Sequence, residues 1–349
     1  MLRVPITGDA PGKPLAHGGD LEAARRRHPA APEPWIDLST GINPRSWPVP
    51  DLPAEAWTRL PSRDAEQALA AAAATRYRAA PAEIVAAPGT QALIQLLPRL
   101  VAPSRVAILG HTYAEHAHCW RQVGHAVSIV EHEADLAGAD VAVVVNPDNP
   151  TGRLLSPDRL RALQAGLLVV DEAFIDLHPP EASLAAGLPE QAVVLRSFGK
   201  TYGLAGLRLG FAIAPPALAG RLREALGPWS VSGPALSIGR QALEDGAWLA
   251  ATATRLAGDA ARLDAVLMAA GFSVVGGTAL FRLAGHRDAA ALADRLGQCG
   301  IHVRVFEHRP HWIRFGIPGD APAFDRLAAA LQVPQKVWET RSSGLGGSA

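Results

Sequence analysis

Seven short runs of apolar residues alternate with helical stretches between about residues 83 and 214 of the chain. The runs read EIVAA, RVAIL, AVSIV, DVAVVV, LLVVD, AVVLRSF and GFAIA. Runs that are apolar at both odd and even positions are typical of parallel strands, because helices then cover both faces of the sheet. The pattern therefore predicts an α/β fold built on a mostly parallel seven-stranded sheet.

The chain on either side of this region has a different pattern. A helical region rich in Ala, Arg and Leu covers about residues 234 to 270, and the runs FSVVGG, ALFRLA, IHVRVF and WIRFGI follow it. Upstream, a helix is predicted over residues 64 to 79, with Asp64 as its N-cap. We predict four parts: an N-terminal arm that joins the small domain (1–44), a large α/β domain (45–228), a smaller α+β domain (229–335) and a flexible tail (336–349).

The composition is that of an ordinary globular protein, with 48% hydrophobic residues and a formal net charge of +0 at pH 7. A neutral balance gives no support to nucleic acid or an anionic membrane as a partner. The two cysteines, Cys119 and Cys299, do not suggest a disulfide framework. The N-terminal residues lack the apolar core of a secretory signal, and no apolar run reaches the ~18 residues of a membrane span. We therefore expect a cytoplasmic protein.

Ligands in open α/β sheets bind beyond the carboxyl ends of the strands, so the residues after each run are candidate site residues. A helix start with free backbone N–H groups follows the first run, and polar or aromatic side chains follow others. In chain order the candidates are Gly89, Thr90, Gln91, Tyr113, Asn149, Asp171, Ser197, Lys200 and Arg208. Each by itself could be a helix cap, a packing contact or a solvated charge. Their occurrence at successive strand ends of one sheet favours a binding site.

These residue types match the needs of a planar, phosphorylated heterocycle that carries an aldehyde. Asp171 would keep a ring nitrogen protonated. Lys200, made less basic by burial and by nearby cations, would attack the aldehyde. The phosphate would be bound by the Gly89–Gln91 helix start together with Ser197 and Arg208. The ring face would stack on Tyr113, and the ring oxygen would accept a hydrogen bond from Asn149. Such a heterocycle is pyridoxal phosphate.

Three segments resemble motifs of the class I/II pyridoxal-phosphate aminotransferases, which share the aspartate-aminotransferase-like fold type I. SFGKTYGLAGLRLG is similar to the lysine motif of that family, NPDNPTG to its asparagine motif and VVDEAF to its aspartate motif. The likeness runs over nearly the whole chain. It implies pyridoxal 5'-phosphate as the cofactor, Lys200 as the Schiff-base residue and a homodimer whose subunits complete each other's pocket.

Within this family the chain resembles two groups, the histidinol-phosphate aminotransferases and the threonine-phosphate decarboxylases of cobalamin biosynthesis. The opening HGGDLEAARR and the later WIDLSTGINPRSWP are similar to the N-terminal segment of the decarboxylases. Phe174 stands where many aminotransferases have a tyrosine, and it cannot donate a hydrogen bond to the ring oxygen. The resemblance implies decarboxylation of L-threonine O-3-phosphate to (R)-1-aminopropan-2-yl phosphate and CO2, with a histidinol-phosphate-type aminotransferase as the alternative.

The same resemblance implies contacts with a phosphorylated amino acid substrate. Arg314 matches the arginine that binds the substrate carboxylate, and Gly41 matches a backbone position near the substrate. His17 and Arg304 are further candidate ligands for an anion. Simpler explanations remain for each, since Arg314 could face solvent from a strand and His17 could belong to a turn.

Two other hypotheses come from different classes of protein. The chain could be a binding protein that keeps the fold without the chemistry. It could also hold a metal ion with residues such as His111, His116, His118 and Cys119. We predict no metal site, because side chains two positions apart on a helix point in different directions.

Overall fold

The computed structural model describes residues 18–332, and residues 1–17 and 333–349 lie outside the described part. His17 and the predicted tail therefore fall outside it. Two sheets organise the structure. The strands are β1 (Ile36–Leu38), β2 (Ile84–Ala87), β3 (Arg105–Leu109), β4 (Ala126–Val130), β5 (Val141–Val145), β6 (Leu167–Asp171), β7 (Ala192–Ser197), β8 (Gly210–Ile213), β9 (Ser273–Thr278), β10 (Phe281–Gly285), β11 (Ile301–Val305) and β12 (Trp312–Gly316).

The larger sheet contains all seven predicted runs, in the order β2-β8-β7-β6-β5-β3-β4. Only β8 is antiparallel to its two neighbours, β2 and β7. The interior strand β5 is buried at each of its five positions. It therefore carries valine and alanine at every position, because helices cover both faces of a parallel sheet.

The helices that pack around the two sheets vary in length from one turn to more than six. They are α1 (Leu21–Arg27), α2 (Glu55–Thr58), α3 (Arg63–Tyr77), α4 (Thr90–Leu96), α5 (Ala114–Gln122), α6 (Pro157–Arg161), α7 (Phe198–Thr201), α8 (Pro216–Leu226), α9 (Gly233–Glu244), α10 (Gly246–Ala269), α11 (Ala289–Gln298) and α12 (Ala321–Gln332). Within the described residues no helix is long and apolar enough to cross a membrane.

The smaller sheet has five strands in the order β1-β11-β12-β10-β9. Strand β1, from the N-terminal part of the chain, pairs in parallel with β11, and the other pairs are antiparallel. One face of this sheet is apolar and packs on α10, α11 and α12 around buried residues such as Ile313, Phe315 and Phe324. The other face carries Arg304 and Arg314, which the register places directly opposite each other.

Two helix predictions were wrong in detail. Helix α3 has Ser62 as its N-cap and not Asp64, because the Ser62 hydroxyl accepts the hydrogen bond from the backbone N–H of Ala65. Asp64 lies in the first turn, where its negative charge is still favourable. The helical region over 234–270 is two helices, because Asp245 ends α9 and caps α10 by accepting from Trp248 N.

The two sheets meet through a contact between glycines. A Cβ added at Gly152 would lie 2.1 Å from the carbonyl oxygen of Gly277, and one added at Gly276 would lie 2.2 Å from that of Thr151. Gly152 also has a φ of +75°, which side chains other than glycine rarely adopt. The loop after β5 and strand β9 therefore touch backbone to backbone, since no side chain fits between them.

Candidate active site

The first predicted segment forms a backbone cradle at the end of β2. Gly89 has a φ of +84° and is the N-cap of α4, so the first N–H groups of the helix are directed outward from the strand end. A Cβ at Gly89 would lie 2.8 Å from Nη2 of Arg208, and one at Gly210 would lie 2.6 Å from the backbone nitrogen of Thr90. Ser197 pairs with Gly210 in the β7–β8 register. The structure therefore brings Gly89, Thr90, Ser197 and Arg208 together.

Gln91 and Tyr113 are joined by a hydrogen bond between their side chains. The Tyr113 hydroxyl donates to Oε1 of Gln91 at 3.1 Å, and Nε2 of Gln91 donates to Glu115 at 2.8 Å. Burial raises the pKa of Tyr113, so its hydroxyl keeps its proton at neutral pH. The ring is held at the start of α5, beside the helix start of α4.

Asp171 ends β6 and is buried against a histidine. Its Oδ2 lies 2.9 Å from Nε2 of His116, and its Oδ1 accepts a hydrogen bond from the backbone N–H of Ala173 at 3.1 Å. His116 is almost fully buried and makes an edge-on ring contact with Tyr113. From the sequence, His116 was considered only as a possible metal ligand. The sequence offered one signal that His116 belongs to the site. It follows the candidate residue Tyr113 by three positions, a spacing that can place both side chains on the same side of α5.

Lys200 lies on the short helix α7, directly after β7. Its half-buried side chain is near two arginines, and burial together with Arg314 and Arg208 lowers the pKa of the amine to about 8. Asp171 acts in the opposite direction. The Lys200 Nζ lies 5.8 Å from the centre of the Phe174 ring. The Lys200 amine is therefore about half neutral near pH 8, and the neutral form is the one that attacks an aldehyde.

Arg314 connects the smaller sheet with the larger one. Its Nη1 donates to Oδ1 of Asn149, and its Nη2 donates to the carbonyl oxygen of Ser39 at 2.7 Å. The Nε atom is buried without a hydrogen-bond partner. Burial and the nearby Arg304 lower the pKa of Arg314 to about 10. Sequence reasoning missed Ser39, because only the tertiary fold brings its carbonyl to β12.

Gly41 lies where two phenylalanine rings meet. A Cβ at this position would be 2.9 Å from Cε1 of Phe174 and 2.9 Å from Cδ1 of Phe281. The two rings pack edge to face with centroids 5.0 Å apart. Arg314 lies over the Phe281 ring at 5.2 Å, on the smaller sheet, while Lys200 is near the Phe174 ring. Gly41 and Phe174 therefore belong to the same pocket as the lysine and the arginine.

The metal hypothesis depends on residues around α5. His116 is occupied by Asp171, whereas His111 lies across from His308 with ring centroids 5.1 Å apart. Within residues 18–332, no group of three or more His, Cys, Asp or Glu side chains is arranged to hold a metal ion. Cys119 lies close to Glu115 instead, and burial raises the pKa of its thiol to about 11.

Comparison with known proteins gives the family. The sequence profile of the aminotransferase class I and II family matches residues 49–331. The chain belongs to this family. It is 44% identical over 328 residues to a threonine-phosphate decarboxylase from Sinorhizobium sp, covering 91% of this chain and 98% of the relative. It is also 44% identical to a threonine-phosphate decarboxylase from Pseudomonas aeruginosa, covering 91% of this chain and 97% of the relative.

A solved structure of this family shows the same fold. It is a histidinol-phosphate aminotransferase from Sinorhizobium meliloti in complex with pyridoxal-5'-phosphate, with a TM-score of 0.73 and 24% sequence identity. The alignment covers 91% of this chain and 94% of that one. The predicted fold type I, with its mostly parallel seven-stranded sheet, is therefore confirmed.

The residues of this aminotransferase-family chain fit pyridoxal phosphate. The Gly89 cradle leaves no room for a Cβ beside the Arg208 guanidinium, and it offers backbone N–H groups and a cation to a phosphate. Asp171 is a buried carboxylate, and Lys200 has a pKa lowered to about 8. The predicted cofactor is that of the family to which the chain belongs.

Proposed function

We propose that this chain decarboxylates L-threonine O-3-phosphate, releasing CO2 and (R)-1-aminopropan-2-yl phosphate. The observation that carries the proposal is the pair Arg304 and Arg314. They lie directly opposite each other on neighbouring antiparallel strands, one half-buried and one buried. Two guanidinium groups this close together form a positive patch that attracts anions. A substrate with both a carboxylate and a phosphate would present one anion to each of them, and the two 44% identical relatives are named for such a substrate.

We assign the carboxylate to Arg314 and the phosphate to Arg304. Arg314 is fixed by Asn149 and Ser39 at the bottom of the pocket, next to the lysine. Arg304 is only half-buried, so it lies closer to solvent than Arg314 does. Partial burial lowers the pKa of its guanidinium. Guanidinium–oxyanion pairs are charge-assisted and can be bidentate, so each anion would be bound in a defined orientation. His17 remains a proposed additional ligand.

The cofactor side of the site would be held by the strand-end residues. The Gly89 cradle, Ser197 and Arg208 would bind the phosphate, and Asp171, itself held by His116, would pair with the ring nitrogen. When bound, pyridoxal phosphate supplies an electron sink for the pair released at the substrate Cα. Tyr113, Gln91 and Asn149 complete the set of proposed contacts.

Lys200 would donate the proton that the substrate Cα gains. In the proposed reaction the bond from Cα to the carboxylate carbon breaks, CO2 leaves, and Cα gains one proton. The Lys200 amine lies beside Arg314 and has a pKa of about 8, so it can carry a proton and give it up near neutral pH. The groups that bind the two anions, with the Gly41 backbone, would decide which Cα bond is aligned for cleavage.

We infer a cytoplasmic homodimer that serves cobalamin biosynthesis. One surface of the larger unit supports the dimer. The exposed side chains of Trp57, Leu60 and Trp229 line a groove of about 470 Å³ next to the loop that leads to Arg208. Exposed aromatic clusters of this kind mark interaction sites. Light scattering during size-exclusion chromatography measures the oligomeric state directly.

The test of the reaction is incubation of the cofactor-loaded protein with L-threonine O-3-phosphate. We expect equal amounts of CO2 and aminopropanol phosphate, with no keto acid formed and no need for 2-oxoglutarate. Faster turnover of histidinol phosphate with 2-oxoglutarate would instead establish an aminotransferase. No turnover of either substrate, together with a visible absorbance that borohydride bleaches, would leave a cofactor-binding protein. The Lys200→Ala variant is the control for all three measurements.

A further inference from the structure

A buried ion cluster lies behind the candidate active site. Nη1 of Arg196 donates to Glu172 at 3.1 Å and to the Ser183 hydroxyl at 3.1 Å, while Nη2 donates to Asp176. The guanidinium also lies 4.3 Å from the centre of the Tyr77 ring. The side chains of Arg196, Glu172 and Asp176 are 6%, 0% and 2% exposed, so solvent hardly reaches the cluster.

Each half of the cluster is the sequence neighbour of a site residue. Glu172 follows Asp171, and Arg196 precedes Ser197 at the end of the adjacent strand. Successive side chains of an extended chain point in opposite directions. The site residue therefore faces the pocket and its neighbour faces the cluster. The Glu172 backbone N–H also donates to the Leu195 carbonyl at 2.8 Å, which joins the two strand ends on this side.

Further contacts extend the cluster around both strand ends. Glu172 also accepts hydrogen bonds from the Ser183 hydroxyl at 2.6 Å and from the Leu184 backbone N–H at 2.8 Å. Its two carboxylate oxygens thus have three donors, counting Arg196. Asp176 binds the same arginine from five residues after Asp171, so the segment between them, with Phe174, is held at both ends.

Stability alone is a weak explanation for such a cluster. Removing charges from water is costly, and well-packed hydrophobic residues of similar volume often stabilise a protein equally well or better. A buried ion pair does, however, fix distances and directions that apolar packing leaves adjustable. This cluster lies where the ends of β6 and β7 meet, next to Asp171 at the end of β6 and to helix α7, which follows β7 and carries Lys200.

We propose that Arg196 and Glu172 are positioning residues that set the distance between Asp171 and Lys200. Arg196 bridges the ends of β6 and β7 from behind, so the carboxylate after one strand and the amine after the other stay in register. The proposal rests on the proposed cofactor roles of these two residues and not on the identity of the substrate. It can therefore fail or succeed independently of the decarboxylation.

The test compares Glu172→Gln and Arg196→Lys with a matched control, Arg295→Lys. Arg295 is a buried arginine in α11 that donates to the Ala330 carbonyl, and it lies in the smaller unit away from the cofactor residues. Three quantities are measured: the dissociation constant of pyridoxal phosphate from the apoprotein, the pH midpoint of the visible absorbance of the loaded protein, and the thermal midpoint of the apoprotein.

We expect Glu172→Gln and Arg196→Lys to weaken cofactor binding about 10-fold, as outer contacts of a bound group typically do, and to shift the absorbance midpoint. Arg295→Lys should lower the thermal midpoint and leave both cofactor measurements unchanged. The proposal is overturned if the two cluster variants bind the cofactor within twofold of the wild type and keep its absorbance midpoint, whatever their thermal midpoints. Glu172→Gln preserves side-chain size and carries the test if Arg196→Lys does not fold.

Discussion

Nε2 of His116 lies 2.9 Å from Oδ2 of Asp171, and both side chains are almost completely buried. The histidine comes from α5, which follows β3, and the aspartate from the end of β6, so the contact spans the strand β5 that lies between β3 and β6 in the sheet. A carboxylate with a single mobile partner would rotate. With His116 on one oxygen and the Ala173 N–H on the other, the Asp171 carboxylate has one orientation.

Replacing His116 tests this relationship. We expect His116→Ala to weaken pyridoxal phosphate binding by about 10-fold, because the Asp171 carboxylate loses one of its two fixed hydrogen bonds. His116→Asn, which restores a donor, should recover part of the loss. His118→Ala is the matched control, since His118 is exposed on the same helix. Equal affinities of all three variants and the wild type, measured by titrating apoprotein with the cofactor, would contradict the prediction.

The lowered pKa of Lys200 predicts a pH dependence for cofactor uptake. The neutral amine is the reactive form, so the rate of uptake by the apoprotein should rise with pH around a midpoint of about 8. Arg314→Leu removes one of the cations that lower this pKa, and the midpoint should then move to higher pH. Stopped-flow absorbance measures the rate. A midpoint unchanged by Arg314→Leu would disprove the electrostatic explanation.

The same pKa predicts a trend in stability. Because the folded pKa of about 8 lies below the ordinary value of 10.5, the unfolded chain binds more protons between those two pH values. The free energy of unfolding of the apoprotein should therefore rise with pH across this interval. Lys200→Met removes the contribution, so the difference between the two unfolding curves isolates it. A difference that stays constant from pH 8 to 10.5 would show that the lysine has an ordinary pKa.

Arg314 and Arg304 should be distinguishable by substrate. Hydrogen bonds to charged groups contribute about 1.5–3 kcal/mol, so losing one corresponds to about 10–100-fold in kcat/KM. We expect Arg314→Gln to lower kcat/KM for both L-threonine O-3-phosphate and L-threonine. Arg304→Gln should lower it for the phosphorylated substrate alone. If Arg304→Gln lowered kcat/KM equally for both substrates, Arg304 would not be a ligand of the phosphate.

Gly41 allows a prediction about packing. In Gly41→Ala the new methyl group would meet two phenylalanine rings at 2.9 Å, and overpacking of this kind costs about 1–3 kcal/mol of stability. Phe281→Leu in the same chain should relieve part of the loss. Gly258→Ala is the control, since a Cβ there meets no atom within 4 Å and should stabilise α10 by about 0.5–1 kcal/mol. Denaturant unfolding measures all of these variants.

The seven strands could be predicted because each is a short apolar run, and a parallel sheet covered on both faces demands such runs. The helix starts could not be predicted as well. Ser62 and Asp64 are both good N-cap types, and only the backbone geometry shows that the serine is the cap. The break at Asp245 did carry a signal, because Asp is a preferred N-cap type and the next residue, Gly246, disfavours helix.

The candidate site was predictable to the extent that strand ends define it. Lys200, Asp171 and Arg314 are brought into one pocket. Contacts between residues far apart in the chain were not predictable. Arg196 lies inside an apolar run, so its role depends on Glu172 and Asp176, and these carboxylates follow a different strand.

The backbone contact between Gly152 and Gly277 fixes the distance between the two sheets at the candidate active site. Two backbones without side chains between them are as close as two chains can pack, so the two sheets cannot move closer together at this edge. Any side chain introduced there would act as a spacer. It would move the arginine of one sheet relative to the lysine of the other, although neither had been altered. Activity should therefore be sensitive to a methyl group at positions that contact no reacting atom.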